Sequence, residues 1–371
     1  MRSRLQRGAL FAGGFLGPFG GGVVTSMLPE MGADLGVGTA TAASSLTAYL
    51  LPFAALMLVS GTYGARWGRL RTVRVAYGGY ALASLVCVLA PTYEVFLAGR
   101  VLQGAGNAFT TPLLLAALAS ATPRARLGRA LGTFGALQAA GQTTAPLVGG
   151  LAAEFNWRLA FVAIAAVALS LGAVGLPRSA DDTATGRPPR LRDALEPTVL
   201  RIGVVALLGW GALGGIGFLV AFRGEDTFGL EPSGRGLLLT GFGVAGMLAA
   251  RWVGGFVDRY DARTAVLAGA VGGAALVLSA GVLGPVAVVA AAWALAGVAG
   301  QMVLVGVNAA TLTGEGANRG GAVSVVQAFR FGGAALAPLA LTPLYAVSPT
   351  AAFGVPTLAL AVLAPVLMPR R

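Results

Sequence analysis

The sequence predicts an all-α membrane protein: twelve transmembrane helices in two six-helix bundles related by pseudo-twofold symmetry. Three observations predict it. The 371-residue chain is 56% hydrophobic and 11% charged, with a mean hydropathy of +0.78, far from the composition of a soluble globular protein. Its arginines recur in alternate loops. Its two halves repeat one another.

A helix needs about 20 apolar residues to cross a bilayer, so length alone parses the chain. The first six spans run from Gly8 to Pro29, Thr39 to Gly64, Thr72 to Ala90, Tyr93 to Ala119, Leu127 to Ala153 and Trp157 to Leu176. The second six run from Val199 to Phe222, Gly236 to Val257, Thr264 to Leu283, Val286 to Leu312, Gly320 to Val347 and Ala351 to Met368. Between the sets, the stretch from Arg178 to Pro197 is rich in Arg, Asp, Pro and Thr and has the composition of a linker. The predicted domains are residues 1–177, a cytoplasmic linker 178–197, and residues 198–371.

The net charge is +12, and all 26 basic residues are arginine. A basic chain is informative through where its charges sit. Here they sit in every second loop, and only Arg158, Arg223 and Arg235 depart from that alternation apart from the arginines within spans. The positive-inside rule then predicts a multi-pass protein of the cell inner (plasma) membrane with both termini cytoplasmic, and no nucleic-acid partner. Arg2, Arg4 and Arg7 flank the first span and are read as the start of a helix, since so many further apolar segments follow. Cys87 is the only cysteine, which rules out an intrachain disulfide or cysteine metal cluster. Without lysine there is no P-loop, and without histidine there is no histidine catalysis or usual zinc site. No nucleophile–base pair stands out either, so neither an enzyme, nor a metal, nor a cofactor is expected; the energy source is a gradient or a separate subunit.

The repeat is explicit. GRALGTFGALQAAGQTTAPL from Gly128 matches GGAVSVVQAFRFGGAALAPL from Gly320, an offset of 192 (320 minus 128). Gly61 and Arg66 relate to Gly254 and Arg259 by 193 (254 minus 61), as do Gly21-Gly22 to Gly214-Gly215. An even number of spans per half makes the copies parallel, related by an axis along the membrane normal, with a central path between them.

Several motifs carry a resemblance. Gly61-Thr-Tyr-Gly-Ala65-Arg66-Trp-Gly68-Arg69 lies between spans 2 and 3, and Gly254-Gly-Phe-Val-Asp258-Arg259 between spans 8 and 9. Span 4 holds Arg100-Val-Leu-Gln103-Gly104, and span 5 holds Gly141-Gln-Thr-Thr-Ala145-Pro146-Leu-Val-Gly149-Gly150 followed by Trp157-Arg158-Leu-Ala-Phe161. Together they resemble the major facilitator superfamily, closest to its twelve-helix drug:proton antiporters. The resemblance implies the major facilitator fold and export of small lipophilic or amphipathic compounds against protons by alternating access. It also implies a cytoplasmic gate at Gly61, Arg66, Gly68, Arg69, Gly254, Asp258 and Arg259. In the first copy Ala65 stands where an aspartate is expected, so that half of the gate is expected to be weaker.

Small residues at four-residue spacing let helices approach closely and proline bends them, which assigns Gly141, Ala145, Pro146, Gly149 and Gly150 to packing. Trp157 is expected to anchor span 6 at the outer interface. An arginine near the bilayer centre costs about 2.5–3.5 kcal/mol on insertion scales, which makes Arg100 and Arg330 candidates for a wet cavity. Gln103 lies one turn from Arg100, and the pair could instead be a structural clamp; Arg330 could equally be interhelical glue. Tyr49, Phe53, Asn107, Gln138, Gln142, Phe242 and Asn308 are further candidates for binding substrate, as are Thr25, Phe218, Gln301 and Phe329, all polar or aromatic and mid-span.

Proton antiport needs a carboxylate in a partly buried place, yet every acid falls at a predicted membrane end. Glu30 is the best candidate, with Glu225 or Asp226 as pseudo-symmetric alternatives. The expected partners are a small-molecule substrate, protons and the lipid bilayer, with the protein a monomer. An alternative function is transport of a small organic anion or metabolite by Arg100 and Arg330 in a cavity without central acids.

Overall fold

The computed structural model describes residues 2–176, 195–312 and 319–369, less the side chains of 2–4, 61–66, 119, 124–129, 131–132 and 319–320. The described residues are helical throughout apart from short connections, and no strand occurs among them. Among the described residues the helices group into twelve long segments. They are α1 (Arg2–Gly22, continued by a 3-10 turn Val23–Ser26), α2 (Ser44–Trp67), α3 (Arg69–Leu89), α4 (Tyr93–Ala108, resumed as Thr111–Ala121), α5 (Arg124–Phe155) and α6 (Arg158–Val174). The second set is α7 (Pro197–Gly209, then a π turn Trp210–Gly214 and Gly217–Asp226), α8 (Pro232–Arg259), α9 (Ala262–Val282), α10 (Val286–Leu312), α11 (Arg319–Val347) and α12 (Pro349–Leu367).

Ten of these segments are long and apolar enough to span a membrane by themselves. The other two are α6, apolar but only 17 residues long, and α5, diluted by Gln138, Gln142, Thr143 and Thr144. Large apolar side chains face outward around the bundle, among them Val75, Leu89, Trp252, Val347 and Val366. Lipid is the solvent that tolerates such a surface.

Packing repeats with a shift of six helices. In the first bundle α1 packs on α5 and α6, α2 on α4, and α3 on α4 and α6; in the second α7 packs on α11 and α12, α8 on α10, and α9 on α10 and α12. The two bundles meet through α5 against α8 and α2 against α11, again a pair exchanged by the shift.

The repeat reaches single atoms. A Cβ on Gly104 would overlap the Tyr49 carbonyl oxygen, and one on Gly297 would overlap that of Phe242. Both pairs differ by 193 (297 minus 104, 242 minus 49), so the same helix crossing is built twice on the same missing side chain. An even number of crossings returns the chain to the end at which it starts, here termed the near end; the other is the far end.

Several spans differ from their predicted form. The first span does not run unbroken to Pro29: it changes to a 3-10 turn at Val23 and restarts as a separate short helix, Leu28–Asp34, with Pro29 in its first turn. The fourth is interrupted between Ala108 and Thr111, where Pro112 opens the second piece and cannot donate into the preceding turn. The predicted linker falls almost wholly on residues 177–194, outside the described residues.

Candidate binding cavity

A cavity of about 430 Å³ lies between the bundles, walled by α1, α2, α4 and α5 on one side and α7, α10 and α11 on the other. That volume suits a small organic molecule. The first bundle contributes Thr25, Tyr49, Phe53, Asn107, Gln138 and Gln142. From the second come Trp210, Phe218, Asn308, Gln327, Arg330 and Phe331. No carboxylate is among the lining residues.

Two helix irregularities shape this space. The 3-10 turn after Gly22 and the π turn Trp210–Gly214 sit on the matching glycine pairs Gly21-Gly22 and Gly214-Gly215, all four of which line the cavity. Departures from the α-helix free backbone carbonyls, which a membrane span tolerates only where protein or a wet cavity receives them. Nearby, the Tyr49 hydroxyl donates to the Gly17 carbonyl at 3.0 Å and receives the Asn107 amide at 2.9 Å. Asn107 in turn accepts from Thr110 Oγ1 at 2.8 Å.

Arg100 and Gln103 are fully buried and do not line the cavity. Arg100 Nη1 donates to the Gly20 carbonyl at 3.0 Å and to Gln103 Oε1 at 2.8 Å, while Nε points to the Ser45 carbonyl at 3.4 Å. Its guanidinium stacks 4.4 Å from the Tyr49 ring centroid. Gln103 passes the network on, donating to Ser84 Oγ at 2.7 Å. Arg100 thus ties α1, α2 and α4 together behind the cavity wall.

Arg330 is placed differently. Its guanidinium lies 3.7 Å from the Trp210 ring centroid and 4.8 Å from that of Phe331, and Nη1 makes one long contact of 3.4 Å to Gln327 Oε1. Its Nε is buried without an acceptor. Phe242 is away from the cavity and packs on Trp293 at 4.8 Å between centroids, and neither Gln301 nor Phe329 lines the cavity.

At the far end Arg235 ties the two bundles together. This buried side chain of α8 pairs with Glu30 of the first bundle, donates to the Ser26 carbonyl at 3.1 Å and the Leu230 carbonyl at 3.0 Å, and lies 3.9 Å from Glu225. The second oxygen of Glu30 is buried without a hydrogen-bond partner. Around this latch the span-5 motif packs on both bundles. Gly141 abuts the Phe15 carbonyl, Gly22 abuts Ala145, and Gly149 abuts the Val23 carbonyl, all on α1 and its turn; Gly150 abuts the Pro232 carbonyl on α8. The Pro146 carbonyl accepts from Ser26 Oγ at 2.6 Å, and Gly236 packs against that same carbonyl.

The near end is less closed among the described residues. Asp258 and Arg259 are exposed, and Gly254 has open space where a Cβ would be. Gly68 joins α2 to α3 at φ +87, a conformation that side chains resist, and Arg69 donates to Ser120 Oγ at 3.2 Å. The backbone at Gly61, Ala65 and Arg66 is helical, and their side chains lie outside the described residues. Trp157 is buried against Phe96 and Phe161 and donates to Asp34 at 3.1 Å, so it packs the interior of the first bundle and does not anchor the span at a lipid interface.

The sequence profile of the Major Facilitator Superfamily matches residues 10–338. The chain belongs to the major facilitator superfamily. Members of that superfamily are membrane transporters rather than enzymes, and the ten long apolar helices among the described residues are those of an integral membrane protein. It is similar to the puromycin resistance protein pur8 of Streptomyces alboniger, 36% identical over 204 residues that cover 52% of this chain and 40% of that protein. It is also similar to the drug efflux pump JefA of Mycobacterium tuberculosis, 32% identical over 168 residues, or 44% of this chain and 33% of that pump. The matched stretch is less than half the length of either relative. Its fold is that of the crystal structure of the D-xylose-proton symporter, with a TM-score of 0.80 at 15% identity over 97% of this chain and 96% of that one.

Sequence reasoning passed over Trp210, Gln327 and Phe331 as lining residues, and Arg235 as a far-end tie between the bundles. For Arg235 a signal existed: it is one of three arginines that break the positive-inside pattern. Each of the three is consumed locally. Arg158 pairs with Asp34 and donates to the Val88 carbonyl at 3.0 Å, and Arg223 donates to the Ala280 carbonyl and, at 2.6 Å, to that of Leu283.

Proposed function

We propose that the chain exports small lipophilic or amphipathic compounds from the cytoplasm in exchange for protons, by alternating access across the inner membrane with both termini cytoplasmic. The observation that carries this is the central cavity, aromatic and amide-lined, with the Arg235–Glu30 ion pair joining the two bundles at its far end. Drug resistance and efflux in the relatives support the direction. Residues 1–177 and 198–371 rock as units about Arg330, Asn107 and Gln138, joined by the linker 178–197, and the protein works as a monomer. The near-end gate is formed by Gly61, Arg66, Gly68, Arg69, Gly254, Asp258 and Arg259.

Glu30 is the proton carrier in this scheme. With the far end closed, Glu30 pairs with Arg235; opening the far end parts the two side chains and exposes the carboxyl group to the solvent on that side. Cells expressing the protein should accumulate less of a neutral lipophilic dye than cells without it, and a protonophore should restore accumulation. Glu30→Gln should abolish the sensitivity to the gradient. Dye efflux that persists undiminished after the proton gradient collapses rejects proton exchange.

A further inference from the structure

We infer that the cavity selects amphipathic molecules bearing a carboxylate or similar anion, with Arg330 as the residue that binds the acidic group. The inference rests on the reading of the central cavity as the transport site, and it narrows the class of compound that site accepts.

Three observations converge. The lining holds an arginine and no acid, so its field favours negative charge and disfavours cations. The guanidinium is under-bonded: Nη1 has one contact, at 3.4 Å, Nε has no acceptor, and no bond from Nη2 to protein occurs among the described residues. A membrane arginine is normally satisfied by carbonyls or a partner, because an unpaired donor in a low-dielectric interior is costly. Arg330 thus keeps donor capacity at the cavity wall, and its planar guanidinium suits a carboxylate, which it can hold through parallel hydrogen bonds.

The third observation concerns the rest of the molecule to be bound. Trp210 and Phe331 hold the guanidinium plane, and Phe53 meets Phe331 edge-on at 4.9 Å between centroids. These rings offer an apolar surface beside the cation, suited to an aryl or alkyl body. The glutamines Gln138, Gln142 and Gln327 can orient polar substituents without adding charge.

The test is equilibrium binding to the full chain in detergent, using three probes of one shape: 1-naphthylacetate, 1-naphthylacetamide and 2-(1-naphthyl)ethylamine. The carboxylate should bind at least about tenfold more tightly than the amide and the amine. Arg330→Gln should remove that preference, and Arg330→Lys should keep part of it. Equal binding of the three probes by the wild type, a preference for the amine, or no saturable binding of the carboxylate overturns the inference without recourse to any variant. A preference that survives in Arg330→Gln overturns the assignment to Arg330. Loss of dye export with the carboxylate preference intact would refute proton-driven efflux alone; the reverse result would refute this inference alone.

Discussion

Arg100 and Arg330 look alike in sequence and are opposites in the structure. Each sits mid-span with a glutamine three residues away, Gln103 after the first and Gln327 before the second. Arg100 has acceptors from α1, α2 and its own helix and is sealed from the cavity. Arg330 lines the cavity with aromatic neighbours, one long contact and a buried, unpartnered Nε. The difference teaches that a charge within a span is read through the acceptors around it: a satisfied arginine is a structural tie, and an under-bonded one awaits a ligand.

The largest expected effect breaks or secures that distinction. Arg100→Ala should lower the stability of the detergent-solubilised protein by about 3 kcal/mol, since removing a fully bonded buried cation orphans carbonyls and the Gln103 amide at about 1–3 kcal/mol for each group left unpaired. Arg330→Gln should change it by less than about 1 kcal/mol, having little to lose. Thermal unfolding of both variants checks this. Equal losses would place the two arginines in one class.

Why the sequence separated these residues only in part follows from what each requires. Span number and bundle symmetry were legible because hydropathy, arginine alternation and the 192–193 offset are local or periodic properties. Which face of a span meets the cavity depends on helix rotation and on breaks in the backbone. The Gly20 carbonyl that receives Arg100 lies just before the 3-10 turn of α1, and nothing around Arg100 itself announces it. In the same way Phe242 resembles a lining aromatic in sequence but turns toward Trp293. The aligned positions make the reason visible: Trp293 lies 193 residues after Arg100 and stacks on Phe242, as Arg100 stacks on Tyr49. The second bundle fills with an indole the place where the first keeps a cation, and its own cation stands instead on α11, opposite Gln138 by the offset of 192.

A second comparison asks whether the scaffolds beneath these unequal residues remain equivalent. Gly104 on Tyr49 and Gly297 on Phe242 form the same crossing, in which any Cβ meets a backbone carbonyl that cannot swing aside. Gly104→Ala and Gly297→Ala should each cost about 1–3 kcal/mol through forced separation of the helices, with the two losses within about 1 kcal/mol of each other. Unfolding midpoints of the pair measure it. If one substitution proves neutral, the bundles have diverged in packing as well as in chemistry.

The smallest expected effect tests what the first bundle gains by keeping a phenol where the second has a phenyl ring. Tyr49 donates to the Gly17 carbonyl and accepts from Asn107, holding the Asn107 amide at the cavity wall. Tyr49→Phe retains the ring under Arg100 and makes position 49 match Phe242, so the stability lost should be about 0.5–1.5 kcal/mol, the worth of the bond to the Gly17 carbonyl once the Asn107 amide finds a new partner at the cavity. Asn107 would then be free to turn, and the affinity for 1-naphthylacetamide should change more than that for 1-naphthylacetate, because the carboxylate is held by Arg330 on the opposite bundle. A Tyr49→Phe variant that loses both affinities equally would show that the two walls bind substrate as one unit.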